Sequence, residues 1–296
     1  MRRATVVAAA LGLAAAGAAC GASGGSDGRT ADGRLAVVAG FYPLAEAAQR
    51  VGGERVAVAN LTPAGAEPHD LELSSRQVDR IEDAAVVFYL GQGFQPAVAA
   101  AAERASGLAV DLLDGEVGPL VGGDPHVWLD PTRQARIAEE VRAALARADP
   151  AGQADYRANA TAYQGELAAL DERFRAGLAD CDRRVLVTSH DAFGYLASRY
   201  DLRQEAIAGL SPESEPEPRR LAELAAKVRA EGITTIFSET LVAPDVAETL
   251  AREAGVATAV LDPLEGLAEE RRRAGTDYAA VMADNLVALR AALGCR

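Results

Sequence analysis

The sequence predicts an α/β protein of two lobes with parallel sheets, joined by one long helix. Three observations predict it. From Leu35 onward, short apolar runs of β type alternate with segments of helical spacing, the pattern of a parallel, layered sheet. The same pattern restarts at Arg184. Between the halves, a helical pattern runs from Asp149-Pro150 to about Leu178, with no Gly or Pro after Gly152. A helix of ~28 residues would be about 42 Å long, enough to run the length of both lobes as a strut. At 296 residues the chain is long enough for two domains with cores of their own.

In the first half, Leu35–Phe41 reads as a strand broken by Tyr42-Pro43, and Leu44–Val51 as a helix stopped by Gly52-Gly53. Arg55–Leu61 is a second strand. The turn-rich loop T-P-A-G-A-E-P-H-D follows and delivers His69. Ser74-Ser75 caps a helix over Arg76–Asp83, and Ala84–Leu90 is a third buried strand. Gly91 and Gly93 end it, Pro96 opens a helix through Ala105, and Ala109–Leu113 is a short strand. A Gly-rich loop, Gly115–Gly123, leads into D-P-H-V-W-L-D-P at 124–131 and His126. Asp130-Pro131 starts a helix to about Ala148, with Pro at a first-turn position.

In the second half, Arg184–Thr188 is a strand, followed by Ser189-His190-Asp191 and a helix over Ala192–Tyr200. Glu205–Leu210 reads as a strand, and S-P-E-S-E-P-E-P-R as a solvated acidic approach to a helix over Arg219–Glu231. Ile233–Phe237 is a strand ending at Ser238-Glu239. Ala243-Pro244-Asp245 opens the helix Val246–Ala254, which Gly255 caps. Thr258–Leu261 is a strand ending at Asp262-Pro263, and Asp277–Leu293 is the closing helix. These readings set lobes at 34–149 and 180–296 with a connecting helix at 150–179.

The formal net charge of −13 and a pI near 4.8 argue against nucleic acid, which needs a basic surface. Arg2 and Arg3 precede a small-residue apolar run, Val6–Ala19, too short to span a bilayer comfortably. The run ends at Gly17-Ala18-Ala19-Cys20, followed by a Gly/Ser-rich stretch. This resembles a bacterial lipoprotein signal, with a signal peptide over 1–19, lipidation at Cys20 and a flexible tether over 20–33. Leu is usual three residues before the cysteine, where Gly17 stands. Simple secretion is the alternative. Outside the cytoplasm, the remaining Cys181 and Cys295 read as a disulfide, with two free thiols as the alternative.

All three histidines of the chain, His69, His126 and His190, fall at the ends of apolar runs. Ligands of open α/β sheets bind beyond the carboxyl ends of strands. That makes His69, His126, His190 and Asp262 four inward-pointing groups, with Glu239 a fifth candidate as an orienting group or alternative ligand. Three imidazoles and one carboxylate suit Zn²⁺ in tetrahedral geometry, whereas Mn²⁺ favours more oxygen. A closed four-ligand site leaves no water to activate, which disfavours catalysis.

Several motifs carry a family resemblance. They are F-Y-P-L at 41–44, V-G-G-E-R-V at 51–56, N-L-T-P-A-G-A-E-P-H-D at 60–70 and D-P-H-V-W-L-D-P at 124–131, then T-S-H-D-A-F-G-Y-L at 188–196, I-F-S-E-T at 236–240 and L-D-P-L-E-G at 261–266. The chain resembles the metal receptors of bacterial zinc and manganese ABC importers, the ZnuA- and TroA-like cluster of solute-binding proteins. The resemblance covers essentially the whole mature chain. It implies two Rossmann-like lobes on one long backbone helix and a metal in the cleft between them. It puts the ligands at His69, His126, His190 and Asp262.

The resemblance also implies an extracytoplasmic, lipid-anchored monomer that delivers Zn²⁺ to separate permease and ATPase subunits. Manganese or iron is the alternative cargo. Members resembling manganese receptors carry Glu in place of His190, which favours zinc. Two departures stand out: the loop Gly115–Gly123 lacks the histidines of many zinc members, and Gln95 stands where Glu is expected after G-x-G-F. Two rival readings remain. One is a secreted zinc hydrolase with Glu239 as general base, although H-E-x-x-H is missing. The other is a structural metal site in a lipid-anchored adhesin or scaffold.

Overall fold

A computed structural model describes residues 28–214 and 216–296. The expected signal peptide, Cys20 and most of the expected tether lie outside the described residues.

The first half forms β1 (Leu35–Ala39), α1 (Tyr42–Gly52), β2 (Val56–Asn60), α2 (Ser75–Asp83), β3 (Val86–Tyr89), α3 (Pro96–Ala102) and β4 (Leu108–Asp111). Next come α4 (Pro131–Ala148) and α5 (Gln153–Gly177). The second half forms β5 (Val185–Thr188), α6 (Gly194–Arg199), β6 (Arg203–Ala206), α7 (Pro218–Ala230) and β7 (Thr235–Ser238). It continues with α8 (Asp245–Ala254), β8 (Ala257–Val260), α9 (Glu269–Arg273) and α10 (Tyr278–Leu293). The strands make two parallel four-stranded sheets, ordered β2-β1-β3-β4 and β6-β5-β7-β8. The two lobes therefore repeat one topology, as the sequence predicts.

The continuous apolar strands follow from sheets buried on both faces. In β3, Val86 and Phe88 face the central core while Val87 packs outward with Ile81 of α2 and Val98 of α3. In the second sheet, Leu186 and Phe237 face inward, while Val187 and Ile236 pack outward with Leu224 of α7 and Leu250 of α8. The inner faces of both lobes share one continuous core through α4, α5 and α10. Its members include Phe41, Trp128, Phe174, Phe193 and Tyr278. Helix α5 buries Tyr156, Ala160, Tyr163, Leu167, Leu170 and Phe174 along one side. That stripe repeats every three or four residues and holds the helix against α1 and α4, then α10. At 25 residues it is about 37 Å long. A 3₁₀ turn, Pro150–Gly152, takes the place of its expected first turn.

Local differences from expectation have local causes. Strand β6 lies upstream of the expected Glu205–Leu210, because Val185–Thr188 pairs with Arg203–Ala206. It is an edge strand with a polar sequence, and the apolar Ile207 just beyond it turns into the core instead. Helix α6 begins two residues late, after a turn at Asp191–Phe193. The unanticipated α9 buries no side chain, and Glu269 pairs there with Arg272 and Arg273. Cys181 and Cys295 form the expected disulfide, flanked by Arg183 N–H to Leu293 O at 3.1 Å and Arg296 N–H to Asp180 O at 3.0 Å. Among the described residues, no helix is long and apolar enough to cross a membrane.

Candidate metal centre

Each lobe sends its carboxyl-end loops toward the cleft. His69 comes from the loop after β2, His126 from the loop between β4 and α4, and His190 lies two residues past β5. All three rings converge. The centroids of His69 and His126 are 5.5 Å apart, those of His126 and His190 5.2 Å, and those of His69 and His190 6.1 Å. The fourth member of the cluster is Glu265, from the loop after β8. Its Oε1 lies 3.1 Å from Nε2 of His69 and 3.2 Å from Nε2 of both His126 and His190. The Nε2 atoms of His126 and His190 are 3.4 Å apart. Donors at about 2.0–2.1 Å from a tetrahedral Zn²⁺ are separated by about 3.3 Å, so these spacings already approximate the edges of such a tetrahedron.

Asp262, expected as the fourth ligand, is not in this cluster, and Glu265 stands there instead. Its Oδ1 accepts the backbone N–H of Leu264 at 2.8 Å. Leu264 takes a left-handed φ of +58°, unusual for a bulky residue, and the turn aims the next side chain, Glu265, into the centre. Asp262 shapes the turn and Glu265 occupies the position expected of it.

Two carboxylates fix the rings from behind. Asp124 Oδ1 accepts from Nδ1 of His126 at 2.7 Å, and Glu239 Oε2 accepts from Nδ1 of His190 at 2.7 Å. A proton held on Nδ1 leaves the Nε2 lone pair for a cation. Glu239 is thus an orienting group on the far side of its imidazole. Asp70 and Asp191, the acids that follow His69 and His190, are exposed.

Asp124 repeats a device seen at Glu67. The sequence reads E-P-H at 67–69 and D-P-H at 124–126. In both, the acid accepts the histidine's backbone N–H: Glu67 Oε1 from His69 at 3.0 Å, and Asp124 Oδ1 from His126 at 2.9 Å. The repeated acid-Pro-His triplet marks both histidines in the sequence itself.

The electrostatics follow from burial and this ring of acids. Burial opposes charge on His190, but hydrogen bonds to Glu239 and Glu265 override it and push the ring up to about 10. His126 is raised in the same way, with Asp124 and Glu265 outweighing burial. Glu265 is almost wholly buried, yet its contacts with the three histidines hold it well below the usual carboxylate range. Glu67 is pushed up to about 8 by burial and by the charge of Glu265.

Residues 37–292 match the family model ZnuA, described as "Zinc-uptake complex component A periplasmic". The chain belongs to the ZnuA family.

This ZnuA-family chain is 38% identical over 285 residues to the zinc-binding lipoprotein AdcA of Streptococcus pneumoniae serotype 4, a match covering 90% of this chain and 57% of that one. It is 32% identical over 298 residues to the high-affinity zinc uptake system protein ZnuA of Bacillus subtilis, covering 93% of each. The chain therefore spans little more than half the length of the AdcA relatives. Among solved structures, it resembles the Zn(II)-bound ZnuA-like domain of Streptococcus pneumoniae AdcA with a TM-score of 0.78 and 38% identity. That likeness covers 88% of this chain and 99% of the domain.

The family resemblance led to an expected Glu at 95, and the structure accounts for the Gln. Gln95 is buried, and its Nε2 approaches three acceptors: Gly40 O at 3.2 Å, Thr62 Oγ1 at 3.3 Å and Pro68 O at 3.3 Å. An amide donates here, whereas a carboxylate would set acceptor against acceptor. The contact to Pro68 braces the peptide that carries His69. A Cβ at Gly40 would lie 2.3 Å from Gln95 Oε1, so a larger residue there would push the amide out of place.

Proposed function

We propose that this protein captures Zn²⁺ outside the cytoplasm and hands it to the permease and ATPase of an ABC importer. One observation carries the reading: three Nε2 atoms and one carboxylate oxygen stand 3.1–3.4 Å apart across the pairs that involve Glu265 Oε1 and the His126–His190 pair. His69, His126, His190 and Glu265 are the ligands in this reading. A nitrogen-rich set favours zinc over manganese by the Irving–Williams order. The printed names of the AdcA and ZnuA relatives support the same cargo. Lobes over 34–149 and 180–296 on the helix 150–179, attachment through a lipid on Cys20, and a monomeric state complete the proposal. The chain lacks a G-x-x-x-x-G-K-[ST] sequence, so the energy for transport comes from a partner.

The geometry speaks against hydrolysis. Glu239, the candidate base, is occupied on Nδ1 of His190, and four protein donors leave a tetrahedral ion no water to activate. The deciding experiment is metal analysis of the purified protein followed by competition between Zn²⁺ and Mn²⁺. One equivalent of tightly held zinc is expected, and H190A should lose most of it while remaining folded. An H190A affinity equal to wild type would remove His190 from the site.

A further inference from the structure

Glu67 stands against the four-donor cluster without belonging to it. Its Oε1 is 4.0 Å from Nε2 of His69, the same atom that Glu265 Oε1 approaches at 3.1 Å. The contrast with Asp124 is informative. Both acids precede Pro-His and both accept the histidine's N–H, but the shorter Asp124 continues to Nδ1, behind its ring. Glu67, longer by one methylene, has an oxygen within reach of the Nε2 side, where the metal would sit.

Two further oxygens make the same point. Glu67 Oε2 and Glu265 Oε2 are both buried without a hydrogen-bond donor, and Glu265 is only 1% exposed. A buried carboxylate oxygen with no donor is costly unless a positive centre stands near it. The Glu67 side chain is 14% exposed, against 9% for His69 and 1% for Glu265, so it occupies the wetter side of the cluster.

We propose that Glu67 is a fifth donor, supplying a carboxylate oxygen to the bound cation and setting how well the site holds oxygen-preferring divalent ions. This rests on the metal-receptor reading above. Zinc is satisfied by the four donors already gathered, and manganese is not. A second carboxylate raises the ligand charge to −2, which neutralises a divalent ion and adds the oxygen that Mn²⁺ prefers. Glu67 therefore governs selectivity more than zinc affinity.

The test uses E67A and E67Q in the full-length protein, with Zn²⁺ and Mn²⁺ affinities measured by competition and the metal-free melting temperature as the folding control. E67A is expected to weaken Mn²⁺ by about tenfold or more while leaving Zn²⁺ within about threefold, with E67Q intermediate. Water-proton relaxation by bound Mn²⁺ should rise in E67A, because a water takes the place of the lost oxygen; a merely structural residue would not move that signal. Unchanged Mn²⁺ affinity and relaxation, or an equal loss for both ions, overturns the role of Glu67. A wild-type protein that binds neither ion overturns the receptor reading along with it.

Discussion

Asn285 grips Asp262 by both of its backbone groups. Its Oδ1 accepts the Asp262 N–H at 2.8 Å, and its Nδ2 donates to the Asp262 carbonyl at 2.7 Å. Asn285 is buried on α10, so the closing helix fixes the start of the D-P-L-E-G turn. The Asp262 side chain then holds Leu264 N–H, and the left-handed Leu264 delivers Glu265 to the histidines.

This relay separates the two carboxylates by experiment. E265Q is expected to weaken zinc binding by more than about 100-fold, whereas D262N should stay within about tenfold, because an amide oxygen still accepts the Leu264 N–H. D262A removes that acceptor and should fall between them. Competition titration with a chromogenic chelator measures all three. The reverse order would return the ligand role to Asp262.

Trp128 offers an optical reading of the same site. It is the only tryptophan of the chain and is fully buried, with its ring 5.1 Å from that of His126. Its Nε1 donates across the lobes to Pro263 O at 2.8 Å, two residues from Glu265. Charge and hydrogen bonding around the indole both change when a cation joins the cluster. Zinc addition is expected to change intrinsic fluorescence with a one-to-one endpoint, and H126A should abolish the response. A titration with no spectral change would show that the ring does not sense the centre.

Much of this arrangement was legible in the sequence, for identifiable physical reasons. Asp130-Pro131 marks the start of α4 because Pro tolerates the first turn and Asp caps it; the Asp130 side chain accepts Thr132 N–H at 2.8 Å. The three histidines were visible because each lies in a loop that follows a strand at a sheet's carboxyl end. The choice between Asp262 and Glu265 was not visible. Both acids lie in one short turn, and which points inward depends on the backbone of Leu264 and on Asn285, 23 residues away. Bulky residues carry no sequence signal for a left-handed conformation. The edge strand β6 was shifted for a related reason: pairing, not apolar content, sets its limits.

The disulfide is expected to matter for stability and not for capture. Cys181 and Cys295 are 114 residues apart, and closing so long a loop stabilises by up to about 4–5 kcal/mol in the chain-entropy model. The pair ties the end of the long helix to the end of α10, and neither cysteine belongs to the gathered cluster. A C181S/C295S double variant should melt at lower temperature, while zinc affinity at 25 °C stays within a factor of about three. Calorimetry with and without reductant checks the first expectation, and competition titration the second. A large loss of affinity would mean that this seam holds α10, and with it Asn285, in register.

Asp171 provides the clearest pH-dependent contribution away from the metal centre. On α5 it accepts from Arg199 Nη2 at 2.8 Å, Arg175 Nε at 3.0 Å and Tyr200 Oη at 3.1 Å, joining the long helix to the end of α6. Burial works against its charge, but the hydrogen bonds from Arg199, Arg175 and Tyr200 prevail and lower it below its ordinary 3.8. A carboxylate depressed on folding stabilises the protein above its unfolded value, near pH 4, and loses that contribution as the pH falls through its folded value. D171N should therefore cost about 2 kcal/mol at pH 7, from the loss of charge-assisted hydrogen bonds. The gap from wild type should narrow steadily below pH 4. Urea unfolding of both proteins between pH 7 and pH 2.5 measures it, and a gap independent of pH would mean that side-chain shape, not charge, holds the two helices together there.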